Sequence, residues 1–256
     1  MQEVRAVLLE QQSFGPWRSV TLGAAALAAA QPGQYLALHW TGTGSFDPLL
    51  RQPLFVTTTD SRAGTCELLV EATSPALGFL GNAAPGTTLD VLGPLGKGWQ
   101  LAADVRTLAV LGTAATAPAL FGLAHHAIAR GVAVTVLLGT ASRDEAPPPF
   151  LLPAAAEYNV AQSKAFASAA IALLDDHALR WADMLAAALP HPYWAKLAQR
   201  VSDVRIRWSR GFAQVAVLPP LPCCVGVCGV CAVETRHASR LACVDGPVFD
   251  LRDLVR

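Results

Sequence analysis

Over the first hundred residues the chain alternates apolar and polar positions in short runs divided by glycine and proline, with candidate strands at residues 3–10, 35–40, 54–59, 67–73 and 88–92. Such alternation buries one face of each strand, and several runs at this spacing predict an antiparallel barrel or sandwich. A short helical stretch at 76–84 interrupts them before the turn Pro85-Gly86. Past Gly93-Pro94-Leu95-Gly96 the pattern changes. Residues 107–112 and 132–139 are continuous apolar runs, and 117–130 between them has helical period and stops before Gly131. Strands buried on both faces and joined by a helix predict a parallel sheet. After Pro147-Pro148-Pro149, a helix at 168–176, a strand at 183–188 and a helix at 193–201 continue the alternation. Residues 204–208 and 214–218 then read as strands leading into a cysteine-rich tail. The expected organisation is an antiparallel β-barrel over 1–101, a parallel α/β lobe over 102–212 and a small cysteine-bearing domain over 213–256.

Composition narrows the function classes. At 256 residues the chain holds one large or two modest domains with ample core. Hydrophobic residues make up 53% and charged residues 15%, which implies either a large partner interface or a surface trimmed of charge. With 19 basic and 19 acidic residues and no basic block, nothing recommends nucleic acid as a partner. The alanine-rich run 22–30 is too short to span a membrane, and the apolar segment 108–136 is broken by Gly112, Pro118, His125, His126 and Arg130. No basic-then-apolar leader opens the chain, so the expected location is the cytoplasm.

The strongest chemical signal is the array Cys223-x4-Cys228-x2-Cys231-x11-Cys243. Three thiols in a tight loop and a fourth from a following segment match the plant-type arrangement for a two-iron, two-sulfide ([2Fe-2S]) cluster. Gly226 and Gly229 suit a loop that must wrap a cluster closely. Two other readings compete. Structural zinc takes cysteines in C-x2-C pairs or with histidines, which fits this spacing poorly. Disulfides suit it poorly too, since 223, 228 and 231 are close together and nothing else suggests secretion. Cys224 adjoins the first ligand and would give x3 spacing in its place, whereas x4 favours Cys223. Cys66 lies in an apolar run and reads as a buried small hydrophobe. His125, His126, His191 and His237 lack partners at ligand spacing, and mixed ligation at His237 would need a second histidine nearby.

Barrel, lobe and cysteine tail in this order resemble the electron-transfer subunits of two-subunit dihydroorotate dehydrogenases, within the ferredoxin-reductase superfamily. The tail carries the resemblance most specifically: Pro222-Cys223-Cys224-Val225-Gly226-Val227-Cys228-Gly229-Val230-Cys231 is similar to M-A-C-G-I-G-A-C-x-G-C, and Cys243-Val244-Asp245-Gly246-Pro247-Val248-Phe249 to C-K-D-G-P-V-F. Pro32-Gly33-Gln34-Tyr35 resembles P-G-Q-F, and Gly93-Pro94-Leu95-Gly96-Lys97-Gly98-Trp99 resembles G-P-L-G-N-G-F. The resemblance covers essentially the full length. It implies a [2Fe-2S] cluster, an FAD and a catalytic, FMN-containing dehydrogenase partner in a hetero-oligomer. It places the FAD along Arg51, Gln52, Pro53 and Leu54 and beside Gly93, Pro94, Leu95 and Gly96. Trp99 then either stacks on a flavin ring or packs in the core. Ser142-Arg143-Asp144-Glu145 either reaches a nicotinamide ribose or forms a solvated loop.

The nucleotide motifs depart from the family. Its R-P-x-S appears as Gln52-Pro53-Leu54-Phe55, with Arg51 one position earlier, and its G-x-G-T turn as Ser74-Pro75-Ala76-Leu77. Glu71 stands where the family has an arginine. G-G-G-I-G-x-A-P corresponds to Leu111-Gly112-Thr113-Ala114-Ala115-Thr116-Ala117-Pro118, and C-G-P-x-P-M-L to Ala188-Leu189-Pro190-His191-Pro192-Tyr193-Trp194. Side chains at those turns would crowd a dinucleotide phosphate, so NAD binding is doubtful and FAD binding weakened. The expected function is an electron-transfer subunit between a dehydrogenase and a nicotinamide or other acceptor. The alternative is a non-catalytic iron-sulfur conduit that has lost NAD and possibly FAD.

Overall fold

The structure is a computed structural model that describes residues 2–39 and 48–255, apart from the side chain of Leu77. Trp40, at the end of one expected strand, lies outside the described residues. Strands β1 (Gln2–Phe14), β2 (Trp17–Gly23), β3 (Tyr35–His39), β4 (Gln52–Asp60), β5 (Thr65–Glu71) and β6 (Thr88–Leu95) close an antiparallel barrel in the order β1-β2-β5-β4-β3-β6. Alternation is clearest in β6, where Leu89 and Val91 point inward. With Leu8, Leu22, Leu36, Leu38 and Leu68 they fill the barrel. The one-turn helix α1 (Leu77–Leu80) adds Phe79 and Leu80 to that core. It is shorter than the helix expected at 76–84: Asn82 N–H and Ala83 N–H donate to Phe79 O (3.3 Å) and Leu80 O (3.1 Å), three-residue turns that do not continue it.

The second half builds a six-stranded sheet of order β14-β11-β10-β7-β8-β9 from β7 (Thr107–Thr113), β8 (Ala133–Thr140), β9 (Glu157–Gln162), β10 (Met184–Ala188), β11 (Ala213–Ala216) and β14 (Val248–Asp250). β7 to β11 are parallel, and β14 is antiparallel to β11. Every residue of the central strand β10 is buried, as a strand covered on both faces requires. Helix α2 (Ala117–Ala129) covers the face toward the barrel, while α3 (Phe166–Leu173), α4 (Asp176–Trp181) and α5 (Trp194–Val204) cover the other. The cysteine segment adds a small ladder of β12 (Ala232–Glu234) and β13 (Ser239–Leu241), and α6 (Leu251–Leu254) closes the chain. Since β11 and β14 flank that segment and both join the lobe's sheet, the lobe holds the cysteines at its edge.

The expected strand at 204–208 does not form. Val204 ends α5, and the alternation that follows comes from Arg205 turning inward while Ile206 is exposed. The Arg205 guanidinium donates to the carbonyls of Leu179 (2.8 Å) and Ala182 (2.5 Å) and lies 4.2 Å from the Phe212 ring centre. It closes open carbonyls at the end of α4 instead of entering a ladder.

Barrel and lobe share a buried seam. Trp17 Nε1 donates to Glu145 O (2.8 Å) and Trp99 Nε1 to Ala119 O (3.0 Å), so each indole buries its ring and satisfies its N–H across the seam. At Gly122 a Cβ would stand 2.6 Å from Val56 O, so α2 approaches β4 closely only because this residue is glycine. Gly122→Val is expected to cost about 1–3 kcal/mol, the usual range for overpacking against backbone that cannot move away. The drop would appear as a lower urea midpoint at unchanged slope, and an unchanged midpoint would contradict the seam.

Candidate iron-sulfur site

The cysteine loop leaves β11, crosses the lobe's edge and is stapled to the barrel. Lys97 N–H donates to Gly246 O and Val248 N–H to Lys97 O (3.4 Å), while on the lobe side Val217 N–H donates to Pro247 O (2.8 Å). The turn at Gly93, Pro94, Leu95 and Gly96 therefore borders the cysteine segment. A Cβ at Gly96, where φ is +76°, would stand 2.7 Å from Pro247 Cδ and 2.8 Å from Gly246 O. Within the loop Gly226 (φ +81°) and Gly229 (φ +72°) take left-handed conformations, as expected of a tight wrap. Cys224 adopts the same region with φ +59°, which is uncommon for a side-chain-bearing residue.

The thiols stand as two pairs. Cys231 and Cys243 are buried with their Sγ atoms 3.2 Å apart. Cys223, half-buried, bonds the exposed Cys228 thiol. Among the described residues no three such side chains yet converge on one point. Burial raises the Cys223 pKa, but the backbone N–H groups of Val225, Cys228 and Val227 and the Cys228 thiol outweigh it and bring it down to about 6. Cys243 is pushed up to about 12 by burial and then by Cys231, while the Gly226 N–H acts the other way. Backbone N–H groups thus aim at sulfur in both pairs, as a loop holding a negatively charged cluster requires. The spare thiol, Cys224, is turned aside: it is buried, donates to Leu221 O (3.0 Å) and is raised to about 11 by burial and by Cys223. Cys66 lies in the barrel core with its pKa raised to about 12 by burial.

A family model described as the iron-sulfur cluster binding domain of dihydroorotate dehydrogenase B matches residues 221–255. The electron transfer subunit of dihydroorotate dehydrogenase B (NAD(+)) of Geobacillus kaustophilus is 31% identical over 234 residues, covering 88% of this chain and 87% of that protein. The chain belongs to this electron transfer subunit family. The subunit of the same name from Bacillus caldolyticus is also 31% identical, over 233 residues, with 88% and 87% coverage. Among solved structures, the NADH-dependent reduced ferredoxin-NADP oxidoreductase, studied for flavin-based electron bifurcation, superposes with a TM-score of 0.77 at 19% identity, over 98% of this chain and 90% of that one. The ferredoxin reductase of carbazole 1,9a-dioxygenase gives 0.65 at 16% identity, covering 84% and 66%. These two likenesses agree on the fold.

Against that family background the other expected residues take clear places. The Arg51 guanidinium is committed to Asp90 (2.8 Å) and Glu3 (2.9 Å), tying the start of β4 to β6 and β1. Gln52 Nε2 donates to Leu50 O (2.9 Å), Pro53 pairs with Ala37 across the ladder, and Leu54 points into the barrel. Phe55 lies where barrel and lobe meet, touching both lobe cores, with its ring centre 6.0 Å from that of Tyr35. Trp99 packs on Gly33 within the core. Ser142 and Glu145 form a capping box around a short 3-10 turn. His125 bonds Leu151 O (2.9 Å), His191 stacks edge-on against Trp194 (4.6 Å), and His237 lies 3.9 Å from Asp253, away from the thiols.

The dinucleotide turn between β7 and α2 is closed by its own side chains. Thr116 Oγ1 accepts from Thr113 N–H (2.9 Å) and donates to Ala188 O (2.8 Å). A Cβ at Gly112 would stand 2.8 Å from that hydroxyl, so no space is left beside the backbone there. Opposite, Leu189 is buried and its carbonyl accepts from Trp194 Nε1 (2.9 Å).

Proposed function

We propose that this chain is the electron-transfer subunit of a two-subunit dehydrogenase, with a [2Fe-2S] cluster held by Cys223, Cys228, Cys231 and Cys243. The observation that carries the reading is the pairing of the thiols, Cys223 with Cys228 and Cys231 with Cys243. Two irons with two thiolates each suit two pairs, whereas a single zinc would draw four thiols to one point. The residues fit the group: four soft sulfur donors, N–H groups aimed at them and glycines where a wrap needs them. Val227 and Val230, on either side of Cys228, and Val244, against Gly226, are exposed, an apolar rim suited to docking. The partner would be a catalytic, FMN-containing subunit of the dihydroorotate dehydrogenase kind, in keeping with the printed names of the relatives. No helix among the described residues is long and apolar enough to cross a membrane, and we place the assembly in the cytoplasm.

We further place an FAD between barrel and lobe, along Arg51, Gln52, Pro53 and Leu54 and near Gly93, Pro94, Leu95 and Gly96, within barrel residues 1–101. A flavin supplies the exchange between paired electrons and the single electrons a cluster carries. Of this chain's own groups, the β4 backbone is available there, but Arg51 is engaged, Gln52 bonds its neighbour and Phe55 fills the junction. The site is thus built for loose holding. Gln52→Arg with Phe55→Ser is expected to raise flavin occupancy about tenfold, since one charged hydrogen bond contributes roughly 1.5–3 kcal/mol. Flavin released by denaturing the purified variant measures this, and full tight occupancy in the wild type would overturn it.

A second reading, a conduit without nicotinamide chemistry in the 102–212 lobe, draws support from Thr116 closing the dinucleotide turn. Anaerobic purification tests the main reading. About two irons and two labile sulfides per chain are expected of this cluster type. Zinc without sulfide would overturn it.

A further inference from the structure

Tyr35 reaches from barrel strand β3 into the floor of the cysteine loop. It is fully buried, and its hydroxyl lies 3.4 Å from Cys224 O and 3.3 Å from Cys243 O. These acceptors belong to different limbs: Cys224 follows the first thiol of the loop, and Cys243 is the closing one. A phenol has one proton to donate, which here is shared between the two carbonyls. The ring is fixed on its other sides. Phe55 lies 6.0 Å away centre to centre, Leu95 pairs with Tyr35 across the ladder, and a Cβ at Gly96 would stand 3.1 Å from its Cε1. A phenylalanine would fill the same space without the hydroxyl.

We propose that Tyr35 is a positioning residue, whose hydroxyl ties both limbs of the cysteine loop to the barrel and tunes the reduction potential of the cluster held there. The proposal rests on the [2Fe-2S] reading above. Its physical basis is that hydrogen bonding around a cluster sets its potential. An O–H proton aimed at two cysteine carbonyls draws electron density from the ligand backbone and favours the reduced, more negative state. Loss of that proton should lower the potential and loosen the loop.

The experiment uses the full chain, purified anaerobically with its cluster. Tyr35→Phe is expected to keep wild-type iron and sulfide and to release iron to a chelator several-fold faster. It should also shift the reduction equilibrium about three- to tenfold toward the oxidised form, as one hydrogen bond allows. Tenfold corresponds to about 59 mV for a one-electron couple. Tyr158→Phe is the control: it removes another buried-side hydroxyl, bonded to Pro147 O (2.7 Å) on the far edge strand β9, and should change neither quantity. Loss of the cluster from folded Tyr35→Phe would overturn the tuning role, because the hydroxyl would then be needed to hold the cluster rather than to set its potential. An unchanged potential and release rate would overturn the proposal, as would failure of Tyr35→Phe to fold, which would make the hydroxyl a folding contact. Wild-type protein without iron and sulfide would instead overturn the cluster reading.

Discussion

Serine at any one of Cys223, Cys228, Cys231 or Cys243 is expected to remove most of the iron and sulfide from anaerobically purified protein, whereas serine at Cys66 and glycine at Cys224 should leave both in place. The contrast follows from where each thiol points. Four of them form the two pairs toward which N–H groups of Val225, Val227, Cys228 and Gly226 are directed. Cys66 is in the barrel, and Cys224 turns its sulfur to Leu221 O. Glycine at 224 should also stabilise the chain, since a side-chain-bearing residue in the left-handed region costs about 1–2 kcal/mol. Its loss of the thiol's packing offsets part of that gain. Iron and sulfide content, the visible charge-transfer absorption and the spin signal of the reduced protein read the outcome together. Full cluster content in Cys231→Ser would sink the ligand assignment. Loss of the cluster in Cys224→Gly would move the first ligand from Cys223 to Cys224.

Sequence pattern made the architecture legible wherever burial dictates periodicity. β6 alternates because a barrel has one wet face, β3 is apolar on both faces because Tyr35 and Ala37 pack toward the lobe while Leu36 and Leu38 fill the barrel, and β7, α2 and β8 stand out because a covered parallel strand is apolar throughout. β2 was not visible: Trp17–Gly23 has arginine, serine and threonine among its seven residues, and its burial comes from pairing with β1 and β5. β9 is an edge strand with mostly half-exposed residues, so Glu157–Gln162 carries little pattern. At 204–208 the alternation was real but served a helix end. The cysteine ligands were legible because their chemistry needs close spacing in sequence. Tyr35 was not, since its contacts to Cys224 and Cys243 span 189 and 208 residues. The altered nucleotide motifs showed which donors are missing, but not that Thr116 and Phe55 fill the spaces left behind.

Direct reduction by NADH or NADPH is expected to be at least about a hundredfold slower than reduction through a partner subunit. A dinucleotide binds such a lobe by bringing its phosphates to bare backbone at the strand-to-helix turn. In this chain Thr116 Oγ1 already takes the Thr113 N–H, and the bulk at Thr113, Ala114 and Ala115 keeps a phosphate away. Two forfeited charge-assisted hydrogen bonds at about 1.5 kcal/mol or more each suffice for that factor. On the nicotinamide side Leu189 and Trp194 are buried against each other. Anaerobic rapid mixing, followed at the flavin and cluster bands, measures it. Rapid stoichiometric bleaching by either nucleotide alone would overturn the expectation and restore a complete reductase. Thr116→Gly with Thr113→Gly should discriminate further, because it frees the donors without touching the thiols or β4. If closure of the turn is the barrier, this pair gains nucleotide affinity while cluster content stays constant. If affinity stays absent, the obstruction lies at Leu189 and Trp194, and Leu189→Gly is the variant that should relieve it.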